Sequence, residues 1–174
     1  WNIIDPLTLT FGARYDKHED FGDNISPRVY ATYAINDNWT IKGGVATGYK
    51  APKASDLQEG ITGFGGQGTT PFFGNPDLKP EKSVSYEAAV YYEHPDKHNF
   101  NVTLFQNNFK DKIDSSTTLV NVPAEWQSYV SASNPPKQNQ NVGEATIKGL
   151  EASGKFFILD NLSIKANWTY LDSE

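Results

Sequence analysis

The residues best suited to chemistry in this chain are aromatic and cationic. Phe64, Gln67, Phe72 and Phe73 fall in one glycine-rich stretch, ITGFGGQGTTPFFGN. Rings on such a loop can fold over a flat aromatic ligand, and nearby cations would favour an anionic one. The stretch itself is not basic. Residues 51–82 carry Lys53, Lys79 and Lys82 against Asp56, Glu59, Asp77 and Glu81, which is 3 − 4 = −1. A better positive set lies elsewhere, in Arg14, Arg28, Lys42 and Lys50. Of these, Arg28 and Lys50 are the candidates for drawing in an anion; the plainer role for the whole set is pairing with acidic groups inside the molecule.

Covalent chemistry finds no foothold. The chain has no Cys, hence no thiolate nucleophile or thiolate metal ligand. It contains no G-x-S-x-G, no H-E-x-x-H and no phosphate-cradling G-x-x-x-x-G-K. GFGGQG follows no buried strand and opens no helix, so its glycines read as loop. His94 and His98 are four apart, a metal spacing on a helix, but Pro95-Asp96 between them makes a turn and leaves two exposed histidines. The run DKHEDFGD, with Asp16, Glu19, Asp20 and Asp23, lacks the calcium-loop spacing and reads as a solvated connection. The expectation is a protein that is not an enzyme, with no catalytic, cofactor-binding or metal-ligating residue.

The elements that carry these residues are strands. Period-two alternation runs through about seven segments and no segment has a helical period. LTLTFGARY sets Leu7, Leu9, Phe11, Ala13 and Tyr15 against Thr8, Thr10, Gly12 and Arg14. LSIKANWTY sets Leu162, Ile164, Ala166, Trp168 and Tyr170 against Ser163, Lys165, Asn167 and Thr169. In FNVTLFQNNF the phase is mixed: Phe100, Val102 and Leu104 share one face while Phe105 and Phe109 fall on the other, and a bulge is one explanation. The net charge of −6 argues against nucleic acid. No apolar run approaches the ~20 residues of a spanning helix, which leaves a strand-built membrane protein open, since its strands need only ~9–11 residues each.

Alternation alone does not say which face meets water. One arrangement is a soluble β-sandwich, apolar face inward, acting as a ligand-binding module. The other is a transmembrane barrel, apolar face outward and charges around a wet lumen. The connections separate them. Short links at Asn36-Asp37-Asn38, HPDKH and Asp160-Asn161 alternate with long ones at about 16–24, 51–80 and 116–140. Tight turns at one end and long loops at the other are the habit of a transmembrane barrel. Trp39 beside a tight turn, with Tyr15, Tyr49 and Tyr86 toward the long loops, fits two aromatic girdles.

Three blocks, ATGYKAPKASDL, GNPDLKPEKSVSYEAAV and LFQNNFKDKID, stand in that order. They are flanked by ISPRVYATYAINDNWTIKGG and ATIKGLEASGKF. Together they resemble the barrel of TonB-dependent outer-membrane receptors, most closely the ferric catecholate siderophore receptors, from about Leu7 to Tyr170. The resemblance implies an all-β, antiparallel up-and-down transmembrane barrel, of which residues 1–174 would supply about seven of 22 strands, the plug domain being absent. The long loops at about 16–24, 51–80 and 116–140 would be extracellular. It implies active import of an iron–siderophore complex, energised by TonB through the missing plug, in a bacterial outer membrane with lipid as a further partner. Haem, cobalamin or another metal chelate is the alternative cargo. About seven strands cannot close so wide a barrel, so the chain is expected to be a piece of a longer protein. The expected ligand contacts are Arg28, Lys50, Phe64, Gln67, Phe72 and Phe73. The GNPDLKPE block is expected to position its loop without touching ligand.

Overall fold

The computed structural model describes residues 2–119, 123–129 and 135–174. Twelve strands follow in chain order. They are β1 (Asn2–Ile4), β2 (Leu7–His18), β3 (Gly22–Ala34), β4 (Trp39–Lys50), β5 (Ile61–Gly65), β6 (Thr70–Phe73), β7 (Glu81–Glu93), β8 (Asn99–Lys110), β9 (Ile113–Ser116), β10 (Lys137–Asn141), β11 (Glu144–Leu159) and β12 (Leu162–Ser173). Two short 3₁₀ turns, Ala54–Leu57 and Ala124–Tyr129, are the helical segments among the described residues.

The strands sort into two sheets. A large one runs β1-β2-β3-β4-β7-β8-β11-β12, each strand beside its neighbour and every pair antiparallel. This open wall contains the seven strands read from the alternation, in meander order. A small sheet, β5-β6-β10-β9, is built from the connections between β4 and β7 and between β8 and β11. We call it the cap.

The wall forms because its residues satisfy a pleat on both sides. At ~3.3 Å per residue, strands of 12 to 16 residues are long enough to cross a ~30 Å hydrocarbon layer at a tilt. Register keeps like with like. Leu9 faces Ala31, Val29 faces Val45, Ile41 faces Val90, and Val90 faces Val102. The other face carries Arg28 opposite Gly12, Thr32 opposite Lys42, and Glu151 opposite Thr103. The turns have local causes. Asn36 Oδ1 accepts the N–H groups of both Asn38 and Trp39 at 2.9 Å, an Asx turn that reverses the chain between β3 and β4. Asp160-Asn161 closes a two-residue hairpin between Leu159 and Leu162.

Among the described residues nothing covers the apolar face. Phe11, Val45 and Ile164 remain 61%, 39% and 53% exposed, so no second sheet lies on it. A sandwich would bury these residues, and that expectation fails here. At the tight-turn end of the same face, Trp39, Tyr92 and Phe100 cluster, with ring centroids 4.7 Å, 5.3 Å and 5.7 Å apart in pairs. The amphipathic rings of Trp39 and Tyr92 belong at a membrane interface.

Two expectations are corrected. The bulge in β8 is absent: its register with β7 and β11 runs unbroken from Asn99 to Lys110. Phe105 therefore does face the polar side, where its ring lies over Gly149, and a Cβ on that glycine would collide with the ring. The connection at 16–24 is not a long loop, because the β2–β3 ladder continues to His18 opposite Gly22 and leaves a tight turn.

Candidate functional site

The polar face of the wall holds the cations singled out from the sequence, and it treats them differently. Arg14 is neutralised: its Nε donates to Asp16 Oδ2 at 2.8 Å and its Nη2 to the Tyr49 carbonyl at 2.8 Å. Lys50 Nζ lies 3.9 Å from Glu81 Oε2, across the β4–β7 ladder. Lys42 Nζ sits 4.2 Å from the centre of the Tyr91 ring, and Lys155 Nζ 4.2 Å from that of Phe157. Arg28 forms no ion pair among the described residues. Its side chain stretches over Gly12 on β2, into space that a Cβ there would fill. Of the two candidate anion attractors, Arg28 thus keeps an unbalanced charge, while Lys50 shares its charge with Glu81.

The aromatic set divides as well. β5 and β6 form a hairpin whose tip is Gly66-Gln67-Gly68, with all three residues at positive φ. Gln67 has φ 61, and the tip is tied by the N–H groups of Gly68 and Thr69 donating to the Gly65 carbonyl at 3.1 and 3.0 Å. Phe64 faces Pro71 and Phe72 faces Gly63, so the two exposed rings point to opposite sides of the ribbon. They do not make one stacking platform. Phe73 is 4% exposed and belongs to the cap interior with Leu78. It supports the hairpin from within.

Asn75 and Glu81, within the GNPDLKPE block expected to position its loop, matter here, as does Gln138, which the sequence did not single out. Gln138 is 2% exposed and donates from Nε2 to the Gly74 carbonyl at 2.7 Å. Asn75, 5% exposed, donates to the Asn139 carbonyl at 3.2 Å. Glu81 accepts the Ile113 N–H at 3.1 Å on the same oxygen that faces Lys50. The run QNQN at 138–141 looks like polar loop, and nothing in its residue types signals a strand. At the opposite end of the wall, the two histidine candidates are engaged by backbone: His98 Nδ1 accepts the Phe157 N–H at 3.0 Å, and His94 Nδ1 that of Asp96 at 3.2 Å.

A wall of long antiparallel strands, ionic on one side and apolar along most of the other, where Lys148 and Asp172 are among the charges toward the cap, with tight turns at one end and a folded cap at the other, defines a transmembrane β-barrel segment. The comparisons with known proteins narrow that class. The family model for the TonB dependent receptor-like β-barrel matches residues 1–174. The chain belongs to this family. It is 33% identical over 178 residues to the iron-regulated outer membrane virulence protein of Vibrio cholerae, covering 100% of this chain and 26% of that protein. It is 34% identical over 177 residues to the ferric enterobactin receptor of Pseudomonas aeruginosa, covering 97% of this chain and 23% of that one. A variant of the P. aeruginosa ferric enterobactin receptor, solved in complex with enterobactin, superposes with a TM-score of 0.74 at 31% identity, over 97% of this chain and 25% of that chain. The chain thus spans about a quarter of the length of the relatives it matches.

Proposed function

We propose that this chain is part of the barrel of an outer-membrane receptor that imports an iron–siderophore complex, a ferric catecholate in the first place, with energy relayed by TonB. The observation that carries the reading is the family match along the whole chain, joined to a wall whose uncovered side is apolar and whose charges line the other. The protein resides in the bacterial outer membrane. The connections at 51–80 and 116–140 are its extracellular loops, with the tight β2–β3 turn at the same end, and the turns at 35–38, 94–98 and 160–161 face the periplasm.

Import of this kind needs no bond made or broken in the barrel. What the wall supplies is a lipid-compatible exterior and an aqueous interior that contains charged groups. What it offers an anionic chelate is Arg28, with a smaller share from Lys50. At the cap, Phe64 and Phe72 offer one ring on each side of the β5–β6 ribbon with Gln67 at its tip, while Phe73 holds the ribbon in place. Stacking and cation–π contact with electron-rich catecholate rings are the recognition chemistry this set can perform.

The test uses the full-length receptor in a strain lacking its other iron receptors. Growth on ferric enterobactin that requires both this receptor and TonB is the expected result. Growth on haem, cobalamin or a ferric hydroxamate, with none on ferric catecholates, would reassign the cargo. Uptake that persists without TonB would overturn the mechanism.

A further inference from the structure

The two connections that build the cap are separated in sequence by the whole β7–β8 hairpin, yet they share one sheet and one interior. β6 and β10 pair in parallel, Phe72 beside Lys137 and Phe73 beside Gln138. Parallel pairing of strands this short is weak by itself, so side chains must do the joining. Three amides do it. Gln138 reaches the Gly74 carbonyl and Asn75 the Asn139 carbonyl. Asn141 accepts the Lys79 N–H at 2.8 Å and donates back to the Lys79 carbonyl at 2.9 Å. That exchange copies the pair of bonds a residue makes with its partner in an antiparallel ladder. The same Asn141 Nδ2 lies 2.6 Å from the Asp111 carbonyl, which ties the foot of the second connection into the joint. On the first connection Phe73, beside Gln138, and Leu78 are nearly fully buried.

We propose that Gln138 and Asn141 are positioning residues that fuse the two connections into one rigid body. The β5–β6 hairpin, which carries Phe64 and Phe72, then cannot shift without carrying β9 and β10. The reason is cooperative. Parting the connections breaks the parallel pair, releases these amide bonds and wets Phe73 and Leu78 in one event, so no partial opening is favoured. Residues that never meet cargo would thereby govern where the exposed rings stand. The proposal holds for any cargo.

Amide hydrogen exchange on the full-length receptor in detergent, under conditions where exchange reports opening rates, tests it without ligand. Residues 61–73 and 137–141 are expected to open at one rate, within about twofold. Asn141→Leu and Gln138→Leu are each expected to speed both segments about tenfold, the loss of roughly one net hydrogen bond, while β2 to β4 stay unchanged. Asn141→Asp keeps the acceptor for the Lys79 N–H but loses both donated bonds, and should speed both segments less. Acceleration confined to 137–141 would overturn the proposal. So would wild-type rates for the two segments that differ by more than about tenfold, a measurement that stands even if a variant fails to fold.

Discussion

The wall and the cap solve the same problem in opposite ways. Apart from the three-residue β1, the wall has strands of 12 residues or more, yet among its described residues hardly a side chain is buried beyond Ser26 and Ala89. The cap has strands of four or five residues and encloses Phe73, Leu78, Asn75 and Gln138 almost completely. A ladder of backbone hydrogen bonds gives the wall its shape, and its surroundings must supply the rest: lipid on one side, an aqueous interior on the other. The cap carries its own interior, small as it is. A long strand with exposed faces is therefore a statement about solvent, while a short one with buried amides is a statement about neighbours.

Substitutions can break this contrast. The largest effect is expected from Phe73→Ala, which empties the cap interior and should cost about 3–5 kcal/mol of local stability. Phe64→Ala on the exposed end of the same hairpin should stay within about 0.5 kcal/mol. Proteolytic nicking of residues 61–79 on intact cells measures both, and equal sensitivity would show that the cap has no interior worth the name. Next comes Val45→Arg on the uncovered face of the wall, expected to destabilise the barrel by about 2–4 kcal/mol if that face meets hydrocarbon. Ser85→Arg, on the neighbouring strand but the polar face, should cost far less. The heat-dependent gel shift of the purified receptor reads the difference, and the reverse order would mean the faces have been assigned the wrong way round.

Smaller effects sharpen the comparison. Arg28→Glu should weaken binding of an anionic ferric catecholate about tenfold, near 1.4 kcal/mol. Lys50→Glu should do less, because Glu81 already offsets that charge. Titration of ferric enterobactin by quenching of tryptophan fluorescence would show it, and equal losses would return Lys50 to the site. Least of all, Asn36→Ala removes one acceptor serving two N–H groups and is expected to cost about 1 kcal/mol. The loss should appear as a lower unfolding midpoint in urea with cargo affinity unchanged.

Much of the wall was legible because a strand pairing on both sides leaves a local record. Leu7 to Tyr15 and Leu162 to Tyr170 alternate without exception, and Asn36 and Asp160-Asn161 mark their turns by residue type. Phe105 was harder. Its apolar ring on a polar face reads as a register error until Gly149, forty-four positions later, is seen to make the room. In the site, Arg28 and Lys50 look alike as sequence; the register that sets Lys50 opposite Glu81 separates them. Phe72 and Phe73 are adjacent and identical, yet one is 38% exposed and the other 4%, since neighbours in a strand point to opposite sides and only the β10 pairing makes one side an interior.

The order of residues along this chain determined the seven long strands of its wall, the turns at Asn36 and Asp160-Asn161 and the wall's two-faced character, for each depends on positions two to four apart. The tertiary structure alone decided that residues 61–79 would meet 113–116 and 137–141, that Arg28 and not Lys50 would stay unbalanced, and which phenylalanine would be enclosed. Those outcomes depend on groups brought together across scores of residues, and no local period records such a meeting.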